Sequence, residues 1–538
     1  MKKDFLNKIG LFVGGLLTLT ILNYFLLIPL NLRYTEVFFI FISLIGLVYI
    51  TFNKNIIEKK YMKVGPELVE TKIPKKEVFY VIGGLITVLL IHGFSSTPLI
   101  FSKQYQQLIG EVYEKDFTTE FTIVEKNELP IVDSDYAAKL GDKKLGSERG
   151  LGSEYHVGEF SDIVVAGKMY MVAPLEFNGF FKWMNNKSTP GYVKVDKITG
   201  EVELVTEINN KKIELKYLSS AYFNNNLKRH AYYNGNMDNA LVKTTFELDD
   251  EGRPYFIINK THKTIGINGG DDILSVVVVD AQTGEVKEYK PSDAPEWIDT
   301  IYPKEIVLKQ IDDWGYYVNG YLNTIFGEKD IVRTTNGSRR VYNENNLYHY
   351  TGLTSSGADE STVGFVFINT KTKETTFYKM TGATEYSAMR SAQGKVENFG
   401  YKATFPVTIN VYDEPTFFIT LKDSSGLIKQ YAFVNITDFS IVGNGETINS
   451  ALNSYLKALD KESVPNDTNN IEIEGTIERI GFDISGGETN YYIIIKEDKK
   501  LYYASSTISK ELNVTKVGDS VKITVNNNRI VKFDNLDI

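Results

Sequence analysis

VKVDKITGEVELV, at residues 193–205, is the stretch that bears most directly on the fold. Its valines alternate before Asp196 and after Gly200, which predicts two strands that each bury one face. An aspartate carboxylate accepts hydrogen bonds from backbone N–H groups two or three residues further on, and glycine supplies the positive φ that ends such a turn. We therefore interpret Asp196, Thr199 and Gly200 as a structural turn between the strands of a hairpin.

The phrase is repeated along the chain. It returns, with decreasing similarity, as VVVDAQTGEVKEY (277–289), VFINTKTKETTFY (366–378) and YAFVNITDFSIV (431–442). The second copy keeps the whole turn in Asp280, Thr283 and Gly284. In the third copy Asn369 keeps only the side-chain acceptor, and Lys373 replaces the glycine. The spacing of about 85 residues between copies predicts a region built from repeated units.

Segments of helical period lie between the copies, at residues 303–326, 384–400 and 446–462. A hairpin alone is only marginally stable and needs another element to cover its apolar face. We therefore expect each repeat to be a small α+β unit, in which a helix lies across a sheet.

The lines KVDKITGEVEL and VVDAQTGEVKEY resemble the last hairpin of the PepSY-type module, an extracytoplasmic α+β unit whose final strand reads vDxxTGev. The resemblance covers about 12 residues per copy. Blades of quinoprotein-type β-propellers carry a similar D-x-x-T-G turn, but their period is near half of this one and helices do not interrupt them. The PepSY resemblance implies a binding or inhibitory module outside the membrane, with no catalytic residues to carry over.

The first hundred residues contain three uncharged apolar segments, at 9–30, 37–52 and 78–101. The first and third are long enough to cross about 30 Å of hydrocarbon as helices. The second spans if its flanking residues reach the interface or the bilayer thins. The sequence therefore predicts three transmembrane helices in a membrane anchor that covers residues 1–102.

Basic residues in the flanks predict the orientation of this anchor. Seven lysines lie between the second and third segments, three more precede the first, and only Arg33 lies between the first and second. Because lysine and arginine favour the cytoplasmic side, we expect a multi-pass protein of the cell membrane with a cytoplasmic N-terminus. Residues 103–462 are then an extracytoplasmic α+β region.

Asn23 and His92 are polar residues inside the predicted spans, and both fall in the outer third of the membrane. One interpretation is an intramembrane polar pair joined by a hydrogen bond, or an intramembrane site. The other is that both side chains lie near the interface and are simply hydrated.

The C-terminal part begins with a polar linker at 463–470. Five strand candidates follow within 471–538, with Val-Gly-Asp before the fourth, and this arrangement resembles an OB-type β-barrel. Single-strand nucleic-acid binders of that shape have basic grooves with stacking aromatic residues. Tyr491, Tyr492, Tyr502 and Tyr503 supply aromatic side chains, but nine Lys or Arg face eleven Asp or Glu. We therefore expect a carbohydrate or protein contact and no nucleic acid.

A search for catalytic motifs is mostly negative. The chain has no cysteine, no HExxH and no GxSxG, so the sequence predicts no cofactor, no metal site and no nucleophile. The glycine-rich segment 133–160 is expected to be a surface loop. The acidic pairs Asp271–Asp272 and Asp312–Asp313 act as glycosidase carboxylates only if folding sets them at a suitable separation.

Together these features predict a membrane-anchored α+β protein, with three transmembrane helices, a repeat-built ectodomain and a small C-terminal β-barrel. The net charge of −9 disfavours nucleic acid, and the composition, rich in Lys, Asn and Ile, is typical of a low-GC Gram-positive bacterium. The expected function is a non-enzymatic scaffold or interaction protein of the cell envelope, which contacts membrane lipid and other envelope or membrane proteins in a larger complex. The alternative is an extracytoplasmic hydrolase that acts on wall polymer through paired carboxylates.

Overall fold

The computed structural model describes residues 2–52, 57–64, 67–74, 76–117, 129–343, 346–355, 361–411, 414–459, 471–485, 488–506, 508–526 and 529–538. The predicted linker at 463–470 lies outside these ranges. The chain divides into two compact units. The first comprises residues 1–121 and 127–384, and the second comprises 122–126 and 385–538.

The predicted class, an α+β fold with three transmembrane helices, is wrong on two counts. First, the part of the chain that the structure describes is mostly β-sheet, because the helices between the repeats are short and each sheet has several strands. Second, only Ile9–Leu26 and Val78–Gln106 are long and apolar enough to cross a membrane within the described ranges. The apolar part of the middle helix, Thr35–Tyr49, is about 22 Å long at 1.5 Å per residue, which is short of a hydrocarbon core of about 30 Å.

Three long apolar helices and a hairpin form the N-terminal part of the first unit. Their bounds are α1 (Lys2–Leu26), α2 (Thr35–Phe52), β1 (Ile57–Val64), β2 (Glu67–Pro74), α3 (Lys76–Phe94) and a short α4 (Pro98–Gln106). Helix α2 packs beside α1, and a Cβ at Gly15 would lie only 2.5 Å from the Leu47 side chain. The two helices therefore approach closely at Gly15, where no side chain intervenes.

The first antiparallel sheet contains the first turn motif. Its strands are β4 (Tyr155–Val157), β5 (Ser161–Val165), β6 (Lys168–Phe177), β7 (Tyr192–Asp196) and β8 (Val202–Val205), with β6 central and paired to β4, β5 and β7. The small strands β9 (Glu207–Ile208) and β10 (Lys211–Lys212) follow it, and the accompanying helices are α5 (Ser134–Ser147), α6 (Leu151–Glu154) and α7 (Phe180–Asn186).

Helix α5 corrects the prediction of a surface loop at 133–160. Asp133 caps its start, because the carboxylate accepts a hydrogen bond from the Tyr136 N–H at 2.9 Å. Ala137, Gly141 and Leu145 are buried at four-residue intervals, so one face of the helix packs on the sheet. Gly141 lies on this buried face, where an added Cβ would be 3.1 Å from the Phe160 ring, so the glycine allows the helix to pack closely.

The second sheet is a meander that follows α8 (Leu227–Tyr233). Its strands are β11 (Ala240–Leu248), β12 (Pro254–Ile265), β13 (Gly269–Asp280) and β14 (Val286–Tyr289). Phe256 and Ile258 pack on the first sheet, whereas Ile257 packs on residues 294–306 from the opposite side. The strands therefore bury both faces, which differs from the single buried face that the sequence predicts. The continuous valine run at 276–279 suits such a doubly covered strand.

The third sheet completes the first unit and follows α9 (Lys304–Tyr316) and α10 (Asn323–Phe326). Its strands are β15 (Val332–Thr334), β16 (Arg339–Asn343), β17 (Asn346–Ser355), β18 (Ser361–Asn369) and β19 (Thr375–Ala383), with the earlier strand β3 (Val112–Asp116) parallel to β19. Val307 and Ile311 of α9 pack on Leu353, Val366 and Ile368 of this sheet. The helix thus covers the sheet at its apolar face.

The second unit contains a further sheet and a barrel. The sheet is formed by β20 (Lys402–Ala403), β21 (Val407–Val411), β22 (Glu414–Lys422), β23 (Ile428–Asn435) and β24 (Val442–Gly445), with α11 (Glu385–Gly394) before it and α12 (Ile448–Ala458) after it. The barrel is formed by β25 (Ile471–Ser485), β26 (Glu488–Ile495), β27 (Leu501–Ser505), β28 (Ser520–Asn526) and β29 (Arg529–Asn535). It closes in the order β25-β26-β27-β29-β28 around a core that includes Ile493, Tyr502 and Ile523.

Candidate functional site

The first residue of the repeated turn accepts the same two hydrogen bonds in each copy. In the first copy the Asp196 carboxylate accepts from the N–H groups of Ile198 and Thr199, both at 2.8 Å. The Thr199 hydroxyl accepts from the Glu201 N–H at 3.2 Å, and Gly200 has a φ of +75°. The turn joins β7 to β8, so its role is structural.

The second and third copies keep this geometry. Asp280 accepts from Gln282 and Thr283 at 2.9 Å, and Gly284 has a φ of +77°. Asn369 accepts from the two equivalent N–H groups, and Lys373 adopts the positive φ, at +65°, that glycine has elsewhere. In the faint fourth copy Asn435 also accepts from two N–H groups, but Phe439, at the glycine position, does not have a positive φ. Each turn joins two adjacent strands of its sheet, and these are the last two of that sheet in chain order.

The second turn also contacts residues outside its own hairpin. Asp280 is buried and forms an ion pair with Arg253. The ring of Tyr217 lies against Gly284, where an added Cβ would be 2.3 Å from a ring carbon. A ring nitrogen of His230 lies 2.7 Å from the Gly284 carbonyl oxygen. This turn is therefore a packing point between α8 and the second sheet.

The predicted polar residues of the membrane segments both contact the β-rich part of the first unit. The Asn23 side-chain amide donates to the Tyr232 hydroxyl at 3.2 Å, and its carbonyl oxygen accepts from the Ile28 N–H. A ring nitrogen of His92 lies 3.2 Å from the Asn268 amide nitrogen, and the ring packs on Phe38. The described contacts therefore bring each residue to the second sheet or its flanking helix and do not join one to the other.

These two contacts belong to a larger junction. At the end of α1, the Tyr232 hydroxyl donates to the Ile28 carbonyl and the Leu30 N–H donates to the Met237 carbonyl, both at 2.6 Å. Before α2, the buried Tyr34 donates its hydroxyl to the Thr261 carbonyl at 2.6 Å. After α3, the Ser96 hydroxyl accepts from the Asn268 N–H at 2.9 Å. The end of α1, the start of α2 and the end of α3 thus all bind the second sheet or the residues just before it.

The acidic pairs predicted from sequence are held by structural partners. Asp271 binds Lys263 at 2.8 Å, and Asp272 binds Lys373 at 2.9 Å. Asp312 accepts from the N–H and hydroxyl of Thr334. Asp313 binds Lys309, and burial raises the pKa of the Asp313 carboxyl. The members of each pair bind different elements.

A third acidic pair, which the sequence analysis missed, lies between the sheets. Glu247 and Asp299 are both buried, and the Asp299 N–H donates to the Glu247 carboxylate at 2.6 Å. Burial and the neighbouring Asp299 raise the pKa of Glu247 to about 7. Burial also raises the pKa of Asp299, although Lys371 at 3.3 Å opposes this effect. The residues are 52 positions apart, so no local signal indicates their proximity.

Basic residues balance part of this buried charge. Arg340 donates to the Thr300 hydroxyl at 2.9 Å and to the Asp162 carbonyl at 3.2 Å. Burial by itself would raise the pKa of the Asp162 carboxyl, but Lys197, which binds it at 2.5 Å, and Arg340 together outweigh burial and lower this pKa. Within the described ranges, no three His, Asp or Glu side chains are arranged to hold a metal ion.

The barrel presents an aromatic surface on two neighbouring strands. Tyr492 of β26 lies opposite Tyr503 of β27, so both side chains point to the same side of the barrel wall. They are 36% and 44% exposed, and Leu501, on the same side, is also exposed. Gly481 lies opposite Tyr492 on β25, and the space above its backbone is open. We call Gly481, Tyr492, Leu501 and Tyr503 the barrel platform.

The other two tyrosines point the opposite way. Tyr502 is 1% exposed within the barrel core and donates its hydroxyl to Asp498. Tyr491 is half-buried and donates to the Asn513 side chain at 3.0 Å. The alternation of strand residues therefore divides the four tyrosines into a structural pair and an exposed pair.

Comparisons with known proteins do not assign this chain to a family. No family model matches it, and no curated protein has a similar sequence. Among solved structures it is similar to a Bombyx mori GH32 beta-fructofuranosidase, with 10% identity, 74% of this chain and 69% of that chain covered, and a TM-score of 0.17. It is also similar to a mutant B. megaterium levansucrase, with 8% identity, 76% and 96% covered, and a TM-score of 0.18. TM-scores this low do not establish a shared fold, so neither activity is carried over to this chain.

Proposed function

We propose that this protein is a membrane-anchored, extracytoplasmic scaffold or interaction protein of a bacterial cell envelope. Its N-terminal helices hold it in the membrane, its sheets form the body, and the barrel platform contacts a partner. The partner is another envelope or membrane component, either a protein or a sugar polymer, and the protein is one part of a larger complex.

The observation that carries this proposal is the junction between the helices and the second sheet. Four backbone carbonyls, at Ile28, Met237, Thr261 and Lys263, accept hydrogen bonds across it at 2.5–2.6 Å. A flexible tether would leave the β-rich part free to move on the membrane surface. Hydrogen bonds at several points instead hold the helices and the second sheet together as one rigid body. A scaffold needs such rigidity because it holds its partner proteins at a fixed position relative to the membrane.

The same junction supports the orientation. The end of α1, the start of α2 and the end of α3 all contact the second sheet or its flanking helix, whereas three lysines lie at the opposite end of α1. Lysine-rich segments favour the cytoplasmic side. We therefore place the N-terminus in the cytoplasm, and the sheets and the barrel outside.

The barrel platform supports a binding role. Adjacent exposed tyrosines give a flat, rigid surface that contacts sugar rings or apolar side chains with little loss of side-chain entropy. The corresponding surface of OB-type barrels, on the second and third strands, binds oligosaccharides and oligonucleotides. The net negative charge of residues 471–538 disfavours nucleic acid, so a sugar polymer or a protein is the expected ligand.

The experiment is to purify the full chain from native membranes in mild detergent, crosslink it and identify its neighbours by mass spectrometry. We expect a reproducible envelope or membrane partner, with crosslinks to the barrel or to the helices. The double variant Y492A/Y503A is expected to lose the barrel crosslinks. A clean monomer without any partner would contradict the scaffold proposal.

A matched control separates binding from folding. Val514 is a similarly exposed apolar residue of the barrel, at 64% exposure, so V514A should keep the crosslinks. Both variants remove exposed side chains and should leave the melting temperature of the barrel nearly unchanged. If Y492A/Y503A keeps the partner, another surface makes the contact.

A second candidate function is a hydrolase that acts on wall polymer. The observation that favours it is the Glu247–Asp299 pair, because burial and the neighbouring carboxyl raise the pKa of Glu247 into the range of a general acid. Both side chains are buried, so this function requires the surrounding sheets to open for the polymer. The test is release of reducing sugar ends when the full chain is incubated with purified wall polymer. Release by the wild type but not by E247Q would support this function, and equal release by both, or none by either, would contradict it.

A further inference from the structure

Exposed apolar side chains on the body of the first unit are concentrated in a few places. Among described residues 129–384, ten large hydrophobic side chains are more than a third exposed. They are Phe181, Met184, Tyr222, Phe223, Tyr233, Ile267, Val318, Leu322, Ile325 and Phe326. Single exposed apolar residues are ordinary, but such concentration indicates a surface that contacts something apolar.

The first group lies next to the end of α1. The rings of Phe180 and Trp183 in α7 contact rings of the 222–223 segment at 5.0–6.4 Å. The exposed side chains on and beside this contact are Phe181, Met184, Tyr222 and Phe223. The next residue, Asn224, accepts a hydrogen bond from the Tyr24 hydroxyl of α1 at 3.1 Å. We call these four residues, with Tyr233, which packs on Tyr24, the first apolar cluster.

The second group lies next to the end of α3. Tyr105 of α4 donates its hydroxyl to the Ser96 carbonyl at 2.8 Å, and its ring contacts Tyr317. Val318 follows directly, and Leu322, Ile325 and Phe326 lie in and beside α10. Phe326 is 82% exposed, the highest value in the set. We call Val318, Leu322, Ile325 and Phe326 the second apolar cluster. The remaining exposed residue, Ile267, also lies near the end of α3, because its neighbour Asn268 binds Ser96.

We propose that these two clusters insert into the outer leaflet, so that the body of the first unit rests on the bilayer at two points beside its helices. This inference rests on the proposed membrane anchoring. The occupant is lipid because both clusters continue directly from the ends of apolar helices that are themselves long enough to cross a membrane. Aromatic side chains favour the membrane interface, where their apolar rings and polar edges are both accommodated.

Charged groups beside the first cluster fit the same placement. The Arg229 guanidinium lies 4.4 Å from the centre of the Tyr24 ring and 5.6 Å from that of Phe25, and its Nε donates to the Tyr24 carbonyl. The Lys187 ammonium lies 3.7 Å above the ring of Trp183. Cations held at aromatic rings at the edge of an apolar surface are placed to meet lipid phosphates, while the rings enter the interface.

The absence of cysteine from the whole chain allows a clean test by site-directed spin labelling. Single cysteines replace Phe181, Phe223 or Phe326 in the full chain, which is reconstituted into vesicles of phosphatidylethanolamine and phosphatidylglycerol. Collisional access to oxygen, which is concentrated in lipid, is compared with access to a water-soluble nickel complex. A label at Leu17 of α1 is the lipid reference, and a label at Glu251, in the exposed turn between β11 and β12, is the water reference.

We expect the three labels to shift away from the Glu251 reference and toward the Leu17 reference. If they match Glu251 while Leu17 remains in lipid, the insertion is refuted and the anchoring stands. If the Leu17 label is itself in water, the proposed anchoring fails as well. Labels that are in water in pure lipid vesicles but are protected in native membranes would show that a protein covers the clusters, which also overturns the proposal.

Discussion

Replacing Asp280 tests whether the repeated turn depends on its side-chain acceptor. One carboxylate oxygen accepts from the N–H groups of Gln282 and Thr283, both at 2.9 Å, and the other oxygen binds Arg253. The Asp280 side chain is 3% exposed, so water does not readily take its place. The alanine variant removes all three interactions, whereas the asparagine variant keeps an oxygen for the two N–H groups.

The expected costs differ between the two variants. A hydrogen bond to a charged group contributes about 1.5–3 kcal/mol, and the two N–H bonds share one oxygen, so D280A should destabilise the second sheet by about 2–4 kcal/mol. The Arg253 side chain is 43% exposed, so the ion pair lost in D280N is worth only about 0–1 kcal/mol. Asn369 and Asn435 already serve as the acceptor in the third and fourth turns.

The measurement is hydrogen exchange followed by mass spectrometry on the full chain in detergent micelles, read on peptides that cover 276–289. A difference of about 1–4 kcal/mol between D280A and D280N corresponds to roughly 5- to 900-fold faster exchange in the alanine variant. As a matched control, D196A should cost less than D280A, because Asp196 is only half-buried and water can reach the freed N–H groups. If D280N exchanges as fast as D280A, the Arg253 ion pair and not the backbone acceptor holds the turn.

Three further predictions concern stability and are measured by thermal unfolding of the full chain in micelles. G284A should lower the melting temperature more than G200A. Both residues have a positive φ, but a Cβ at Gly284 would overlap the Tyr217 ring, whereas at Gly200 the nearest atom is 3.9 Å away. Equal losses would mean that the backbone strain alone matters. Burial raises the pKa of Glu247 from 4.5 to about 7, so the folded protein favours the neutral carboxyl. The melting temperature should therefore fall as the pH rises from 4.5 to 7, and E247Q should reduce this dependence on pH. An unchanged dependence in E247Q would contradict the raised pKa. G15I should separate α1 from α2 and lower the melting temperature, since a Cβ there would lie within 2.7 Å of two carbons of an α2 side chain; an unchanged value would refute the close approach.

Features that depend on neighbours in the sequence were accessible from the sequence alone. The Asp-x-x-Thr-Gly turn closes within a few residues, so the bonds of Asp196 to Ile198 and Thr199 follow from local geometry. The amphipathic pattern at 446–462 likewise indicates the helix Ile448–Ala458, whose cap at Thr447 is also local. The helix Ser134–Ser147 was missed although its signals, an Asp cap and apolar residues at four-residue spacing, are present. The resemblances to PepSY-type and OB-type modules stay predictions.

Features that depend on which segments meet in space required the tertiary structure. The Glu247–Asp299 pair joins residues from different segments, and its raised pKa values arise from burial that no local pattern records. Asn23 and His92 were grouped by their similar depth in the membrane, but the structure gives each a partner in the β-rich body.

The sequence by itself determined the period of the repeats, the turn that closes each one, the apolar helices of the N-terminal part and the alternation along the barrel strands. These depend on bonds and periodicities within a few residues. Only the tertiary structure decided that both faces of the second sheet are covered, that the helix ends bind it, and that Tyr492 and Tyr503 stand side by side. Strand register and sheet packing are set by contacts between residues far apart in the chain, and those contacts are chosen by the sum of burial over the whole fold.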